Sequence, residues 1–247
     1  MYEVYGESDI GCARDQNQDT IDWHVADDGA FALAIVADGM GGYKGGEIAS
    51  RIAVEYVMTT CLKALEAVEE LSPDQAEALL LQAGANANEA IFQQRLQNME
   101  LSRMGTTLVF VLAYSNNLSL VHAGDSRCYR VLENKLEALT RDHSLVQQML
   151  DDGVIDKRDI ENIPFRNMLT RAVGVERDLQ YSVTTIATEP GQQFLLCSDG
   201  LFNAMDDAYI CAALNEIDPI DQQVHNLIKR SLSQHASDNV SAILLKV

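Results

Sequence analysis

The chain has 247 residues, 47% of them hydrophobic, with 37 acidic against 18 basic side chains and a formal charge of −19. That excess of carboxylates opposes binding to nucleic acid or to an anionic membrane and favours cationic partners, metal ions among them. The length could hold one large domain or two small ones, the apolar content supports a sizeable core, and a single domain over 1–247 is expected.

No stretch reaches the roughly 18 apolar residues of a spanning helix, and residues 1–5 lack the basic start and apolar core of a signal peptide, so a cytoplasmic protein is expected. Cys12, Cys61, Cys128, Cys197 and Cys211 are odd in number and show neither CxxC nor Cys/His ligand spacing. They read as reduced, small apolar residues.

The chain opens with strand-like stretches at 2–7, 21–26 and 30–37, the first two separated by the polar "GCARDQNQD". After a glycine cluster at 39–46, Ile48, Ala49, Ile52, Ala53, Tyr56 and Val57 recur at helical spacing. Ser72-Pro73-Asp74 interrupts the pattern, and Leu79, Leu80, Ala83, Ala87, Ala90 and Ile91 mark a second long helix with Pro73 near its N-terminus. Strand-like runs return from Thr106 to Thr140, with Asn116-Asn117 and Glu133-Asn134 as hairpin turns in an antiparallel meander.

Residues 141–177 differ from the rest: short helical pieces, Gly153, Pro164, and near-neutral charge in an acidic protein. Strands at 181–187 and 192–198, helices near 206–214 and 220–235, and a last strand at 240–247 complete the order. Blocks of strands separated by paired helical blocks predict an α+β fold, a four-layer α-β-β-α sandwich. Two antiparallel sheets pack face to face and helix pairs flank them. A βαβ dinucleotide fold would need single helices between strands and a Gly-rich turn joining them.

Four aspartates stand at the edges of apolar runs: Asp38 in "FALAIVADGMGG", Asp125 in "LSLVHAGDSR", Asp199 in "QFLLCSDGL" and Asp238 in "SDNVSAILL". A carboxylate just outside a buried strand is costly unless it is paired or bound to metal. One such residue is ordinary as a turn; four suggest a shared metal site. Oxygen ligands without clustered His or Cys point to Mg²⁺ or Mn²⁺ rather than Zn²⁺. Two such ions about 3.5–4 Å apart can share a carboxylate and a bridging hydroxide that attacks phosphorus in line. Gly39 and Gly41-Gly42 would let backbone carbonyls approach an ion.

Eight strings occur in order: "RDQNQD" (14–19), "ADGMGG" (37–42), "GTT" (105–107), "GDSR" (124–127), "LTRDHS" (139–144), "LTRAVG" (169–174), "CSDGL" (197–201) and "SDNVS" (237–241). Together they resemble the bacterial branch of the type 2C, or PPM, metal-dependent protein phosphatases, over nearly the whole chain. The resemblance implies a β-sandwich flanked by helix pairs, with two Mn²⁺ or Mg²⁺ ions at one end and possibly a third.

By motif match, Asp38 would bridge both ions, Gly39 would offer its carbonyl, and Asp199 and Asp238 would complete one metal's ligands. Asp125, helped by Asp199, would hold the third ion. Gln18 and Asp19 would orient waters around the metals, and Asn239 belongs at most to that outer ring. Arg14 matches the family's phosphate-binding arginine, whose guanidinium fork suits two phosphoryl oxygens. The segment 143–171 matches a flap beside the site.

Three positions depart from family patterns. Gln18 stands where many relatives carry Glu, Tyr43 where several bacterial relatives carry His, and Met40 where eukaryotic members place His. The usual donors of a proton to the leaving alkoxide are therefore missing, and a metal-bound water could serve instead. His143 is the one histidine within a recognised motif, and structural or flap contacts fit it better than acid catalysis.

The resemblance implies hydrolysis of phosphoserine and phosphothreonine in proteins without a phosphoenzyme. Phosphorylated proteins and a cognate bacterial Ser/Thr kinase would be the partners, with nucleic acid and membrane excluded and the chain a monomer. The competing reading is a catalytically weak module that binds phosphoproteins or a kinase. Aspartyl-phosphate chemistry wants a DxD pair and P-loop chemistry a GxxxxGK[ST] string, and the chain has neither at these positions.

Overall fold

A computed structural model describes residues 1–41, 45–68, 70–133, 135–165 and 167–247, without the side chains of 157, 161 and 162. Gly42, Tyr43 and Asn134 thus lie outside the described residues, and with them the expectations placed on Tyr43, on the second glycine of the pair and on half of one hairpin turn.

Two sheets carry the fold. One contains β1 (Glu3–Asp9), β11 (Val240–Lys246), β10 (Gln193–Cys197), β7 (Arg127–Leu132) and β8 (Lys135–Ala138), in that order. The other runs β2 (Asp19–Val25), β3 (Phe31–Met40), β5 (Leu108–Tyr114), β6 (Asn117–Ala123), β9 (Ser182–Ala187), with the short β4 (Gly105–Thr106) paired to the end of β3. Every pairing is antiparallel.

Helices α1 (Gly46–Leu65) and α2 (Pro73–Gln97) cover the second sheet. The first is covered by α4 (Asp199–Phe202), α5 (Asp207–Leu214) and α6 (Ile220–Ser233). A remaining short helix, α3 (Leu145–Asp151), lies in the segment after β8.

Strand periodicity explains why the central strands read as unbroken apolar runs. On β3, Leu33, Ile35 and Ala37 face the α1–α2 layer, while Ala32, Ala34 and Val36 face the other sheet. β10 does the same with Leu195 and Cys197 against the helices and Phe194 and Leu196 between the sheets. Burial on both faces removes the polar alternation of a half-solvated strand. The three resulting cores are the spaces between four layers, as the order of elements predicts.

Local signals also hold. Ser72 caps α2 by accepting from the Gln75 backbone N–H while the Gln75 side chain returns a bond, and Pro73 follows it.

Three details correct the sequence reading. Tyr114 pairs with Asn117, so the β5–β6 turn is Ser115-Asn116, one residue earlier than expected, with Ser115 at φ 42°. The run from Thr106 splits at Thr107 into β4 and β5. The expected meander is two hairpins in different sheets, because the chain crosses the sandwich between β6 and β7. That crossing, 124–126, carries Asp125. Period-2 alternation tells a strand from a helix, but both sheets share one apolar interior, so it does not say which sheet a strand joins.

Candidate metal and phosphate site

The first residues of β2, β7 and β11 and the last of β3, β6 and β10 meet at one end of the sandwich. There Arg14, Gln18, Asp38, Gly39, Asp125, Asp199 and Asp238 line one cavity of about 570 Å³. Positions spread from 14 to 238 in the sequence thus share a single space. Among the described residues, no three acidic, His or Cys side chains close into a ready ligand cage. Asp238 instead accepts from Arg14 Nη2 at 2.7 Å, and Asp199 Oδ2 accepts from Asn203 at 3.1 Å.

Asp38 sits near the end of β3, and its backbone is held on both sides. Its N–H donates to Thr107 Oγ1 at 3.0 Å, and its carbonyl accepts from Thr106 Oγ1 and from Thr107 N, each at 2.8 Å. The "GTT" string therefore fixes the position of Asp38. Asp19 is its register partner across the β2–β3 ladder. The Asp19 carboxylate is buried; its Oδ2 accepts from Ser198 Oγ at 2.8 Å and Ser241 Oγ at 2.6 Å, while among the described residues Oδ1 meets no hydrogen-bond donor other than the neighbouring Asp38 carboxyl.

Asp199 opens α4 just after β10, and its Oδ1 is buried with no hydrogen-bond partner among the described residues. A buried carboxylate oxygen left unsatisfied is costly. Burial, reinforced by neighbouring carboxylates, pushes Asp199 up to about 7 and Asp19 and Asp125 up to about 6, and raises Asp38 well above its ordinary range. Hard-oxygen groups that repel one another and include an orphaned buried oxygen are the donor set that divalent Mg²⁺ or Mn²⁺ would neutralise.

The two Asp-Gly pairs of the cavity, Asp38-Gly39 and Asp199-Gly200, are explained by close backbone approach. A Cβ on Gly39 would lie 2.2 Å from the Gly46 carbonyl oxygen and 2.5 Å from that of Gln18. One on Gly200 would lie 2.1 Å from the Asn239 oxygen. At Gly39 the space is filled by protein backbone, a different reason for glycine than the approach of an ion.

Arg14 stands at the cavity wall with its side chain half exposed. Asn239 is a loop clamp: its Oδ1 accepts from Gln18 N at 2.9 Å, and its Nδ2 donates to the Ile10 and Gln16 carbonyls at 2.8 and 3.0 Å. It thereby ties the loop that bears Arg14 to the start of β11. Gln18 lines the cavity, and its amide lies 3.4 Å from Glu47 Oε2.

Residues 13–244 match the family model described as Protein phosphatase 2C. The chain belongs to the protein phosphatase 2C family. The serine/threonine phosphatase stp of Listeria welshimeri is 33% identical over 214 residues, covering 87% of this chain and 84% of that protein. PstP of Mycobacterium tuberculosis, named a serine/threonine protein phosphatase, is 34% identical over 97% of this chain and 44% of its own length. Among solved structures, the Streptococcus agalactiae serine/threonine phosphatase superposes with a TM-score of 0.92 at 28% identity, covering 100% of both chains. The PstP catalytic domain in complex with two manganese ions superposes at 0.85 and 30% identity, covering 99% and 97%.

In this protein phosphatase 2C chain, several contacts escaped the sequence reading. Thr106 and Thr107 hold Asp38, and Ser198 and Ser241 hold Asp19; all four lie inside quoted motifs, yet only Ser198 adjoins an acidic residue in sequence, so the motifs carry no local signal of these contacts. Asn203 and Glu47 lie outside the quoted motifs.

His143 makes structural contacts: its ring stacks on His122 at 4.6 Å and its Nδ1 accepts from Gly124 N at 3.2 Å. Burial first, then His122 and Arg171, push it down to about 4. The segment from His143 is closed at its base, where Leu145 N donates to the Met168 carbonyl and Thr170 N to that of His143, each at 2.8 Å.

Proposed function

We propose that this chain is a Mn²⁺- or Mg²⁺-dependent protein phosphatase acting on phosphoserine and phosphothreonine. The convergence of Asp38, Asp125, Asp199, Asp238 and Arg14 on one cavity carries the reading. Asp38, Gly39, Asp199 and Asp238 would hold two ions, and Asp125 with Asp199 a third, with Gln18 and Asp19 behind them. When bound, the cations supply a water deprotonated near neutral pH and offset charge at phosphorus.

Arg14 is placed to exchange its bond to Asp238 for phosphoryl oxygens, bringing a cation into a site that would otherwise repel a phosphate dianion. Thr106 and Thr107 keep Asp38 from moving during turnover, which a positioned attack requires. No cysteine lines the cavity among the described residues, and burial pushes the Cys61 and Cys197 thiols up to about 12, so thiol-phosphate chemistry has no nucleophile here.

The chain forms one domain, in which 143–171 is a flap at the cavity edge, contributing Asn167 and Leu169 to its lining. A bacterial Ser/Thr kinase supplies its substrates, and the chain works as a cytoplasmic monomer. Among the described residues no helix is long and apolar enough to cross a membrane. The test is hydrolysis of a phosphothreonine peptide with Mn²⁺, with and without chelator, by wild type and Asp38→Ala. Turnover in metal-free buffer would overturn the reading. Peptide binding without turnover would favour a regulatory module.

A further inference from the structure

Arg127 opens β7, two residues after Asp125, and its guanidinium is engaged on every edge. Nε donates to Asp142 Oδ1 at 2.9 Å and Nη2 to Asp142 Oδ2 at 2.7 Å, a bidentate fork. Nη1 donates to the Tyr129 hydroxyl at 2.9 Å. The flat face lies over the Phe202 ring, 3.7 Å from its centroid. Phe202 ends α4, the helix that Asp199 begins. Asp142 precedes His143, whose backbone N donates to the Gly124 carbonyl at 2.9 Å.

One side chain, two residues after Asp125, therefore meets the helix bearing Asp199 through Phe202 and, through Asp142, the residue just before the 143–171 segment. A second path runs from the turn bearing Asp125. Ser126 Oγ meets Thr107 Oγ1 at 2.7 Å, and Thr107 Oγ1 accepts from the Asp38 N–H. Arg127 spends its recorded hydrogen bonds on Asp142 and Tyr129 and none on Asp125 or Asp199, while its charge still acts on Asp125.

We propose that Arg127 is a positioning residue that sets the separation of the Asp125 and Asp199 carboxylates, with Asp142 and Phe202 as its two anchors. The inference rests on the phosphatase reading. Only a planar guanidinium can bind a carboxylate with two nitrogens, a hydroxyl with the third, and lie flat on an aromatic face at once; an ammonium has three donors on one nitrogen and neither the fork nor the flat face. Loss of the fork lets the turn and the helix drift independently, and metal affinity falls before substrate affinity does.

The experiment compares wild type, Arg127→Lys, Asp142→Asn, the double variant and Phe202→Leu by Mn²⁺ titration calorimetry, thermal melting, and kinetics at varied Mn²⁺. Arg127→Lys is expected to weaken the weakest Mn²⁺ step at least ~10-fold, lower kcat at limiting Mn²⁺, leave KM for a phosphothreonine peptide within ~3-fold, and regain activity as Mn²⁺ rises. Asp142→Asn should do the same, and the double variant should be no worse than Arg127→Lys alone.

Mn²⁺ isotherms that superimpose on wild type, with only the melting temperature lowered, would show an ordinary structural ion pair and overturn the proposal. Should Arg127→Lys fail to fold, Phe202→Leu, which keeps the ion pair, is expected to weaken Mn²⁺ binding about 3-fold, and an unchanged isotherm there is equally fatal. A wild-type chain that takes up no Mn²⁺ overturns the phosphatase reading itself and this one with it.

Discussion

Asp19 and Asp38 face each other across the β2–β3 ladder at the end of the sandwich. Both carboxyls are raised above their ordinary range by burial, and each lies in the field of other carboxylates of the site.

The metal-free protein should therefore lose stability as pH rises. A carboxyl raised in the folded state stabilises the fold while protonated, fully below its ordinary value near 3.8, and loses that contribution as pH passes its folded value. With Asp19 and Asp125 at about 6 and Asp199 at about 7, the loss falls between about pH 4 and 8. Melting with chelator at pH 5 and pH 8 checks it, with a lower Tm expected at pH 8. Mn²⁺ should restore more stability at pH 8 than at pH 5, and a Tm that rises with pH in chelator would refute the account.

Asp38→Ala and Asp199→Ala should each cut kcat at least ~10²-fold on a phosphothreonine peptide at saturating Mn²⁺, because under the proposed function each would remove a ligand that supports the activated water. Residual activity within ten-fold of wild type would place the chemistry elsewhere. Neither variant should unfold the protein, since each removes a desolvated charge, and melting curves provide that control.

Arg14→Ala should raise KM for phosphopeptide more than it lowers kcat. The side chain is half exposed and, among the described residues, hydrogen-bonds to Asp238 alone, so the variant should melt near wild type. A normal KM with a depressed kcat would assign Arg14 to the chemical step instead.

Asn239→Ala should be more damaging to the fold than Arg14→Ala. It removes three hydrogen bonds that a buried side chain makes to the Gln18 N–H and to the carbonyls of Ile10 and Gln16, each worth about 0.5–1.5 kcal/mol net. A lower Tm is expected together with a raised KM, because the loop bearing Arg14 loses its tether. A raised KM without any change in Tm would contradict the clamp.

The order and type of elements were legible because the central strands are buried on both faces and α2 carries explicit start signals at Ser72, Pro73 and Gln75. Sheet membership was not: nothing in "HAGDSRCYR" says that the chain changes sheets there. The aspartates were legible one by one, as carboxylates beside apolar runs, and their meeting place followed from motif order. The supports were not. Asp125-Ser126-Arg127 could equally be a hairpin turn with a local ion pair, yet the fold delivers the Arg127 hydrogen bonds to Asp142, and the three-dimensional path of the chain decides between them.

Strand β11 lies between β1 and β10, and the residues just before it supply Asp238 and Asn239. The loop holding Arg14 thus gains its tether only when a strand some 220 positions further along has inserted. During synthesis Arg14 and Asp38 emerge early and must wait for β11 to dock before Asp238 joins them around one cavity.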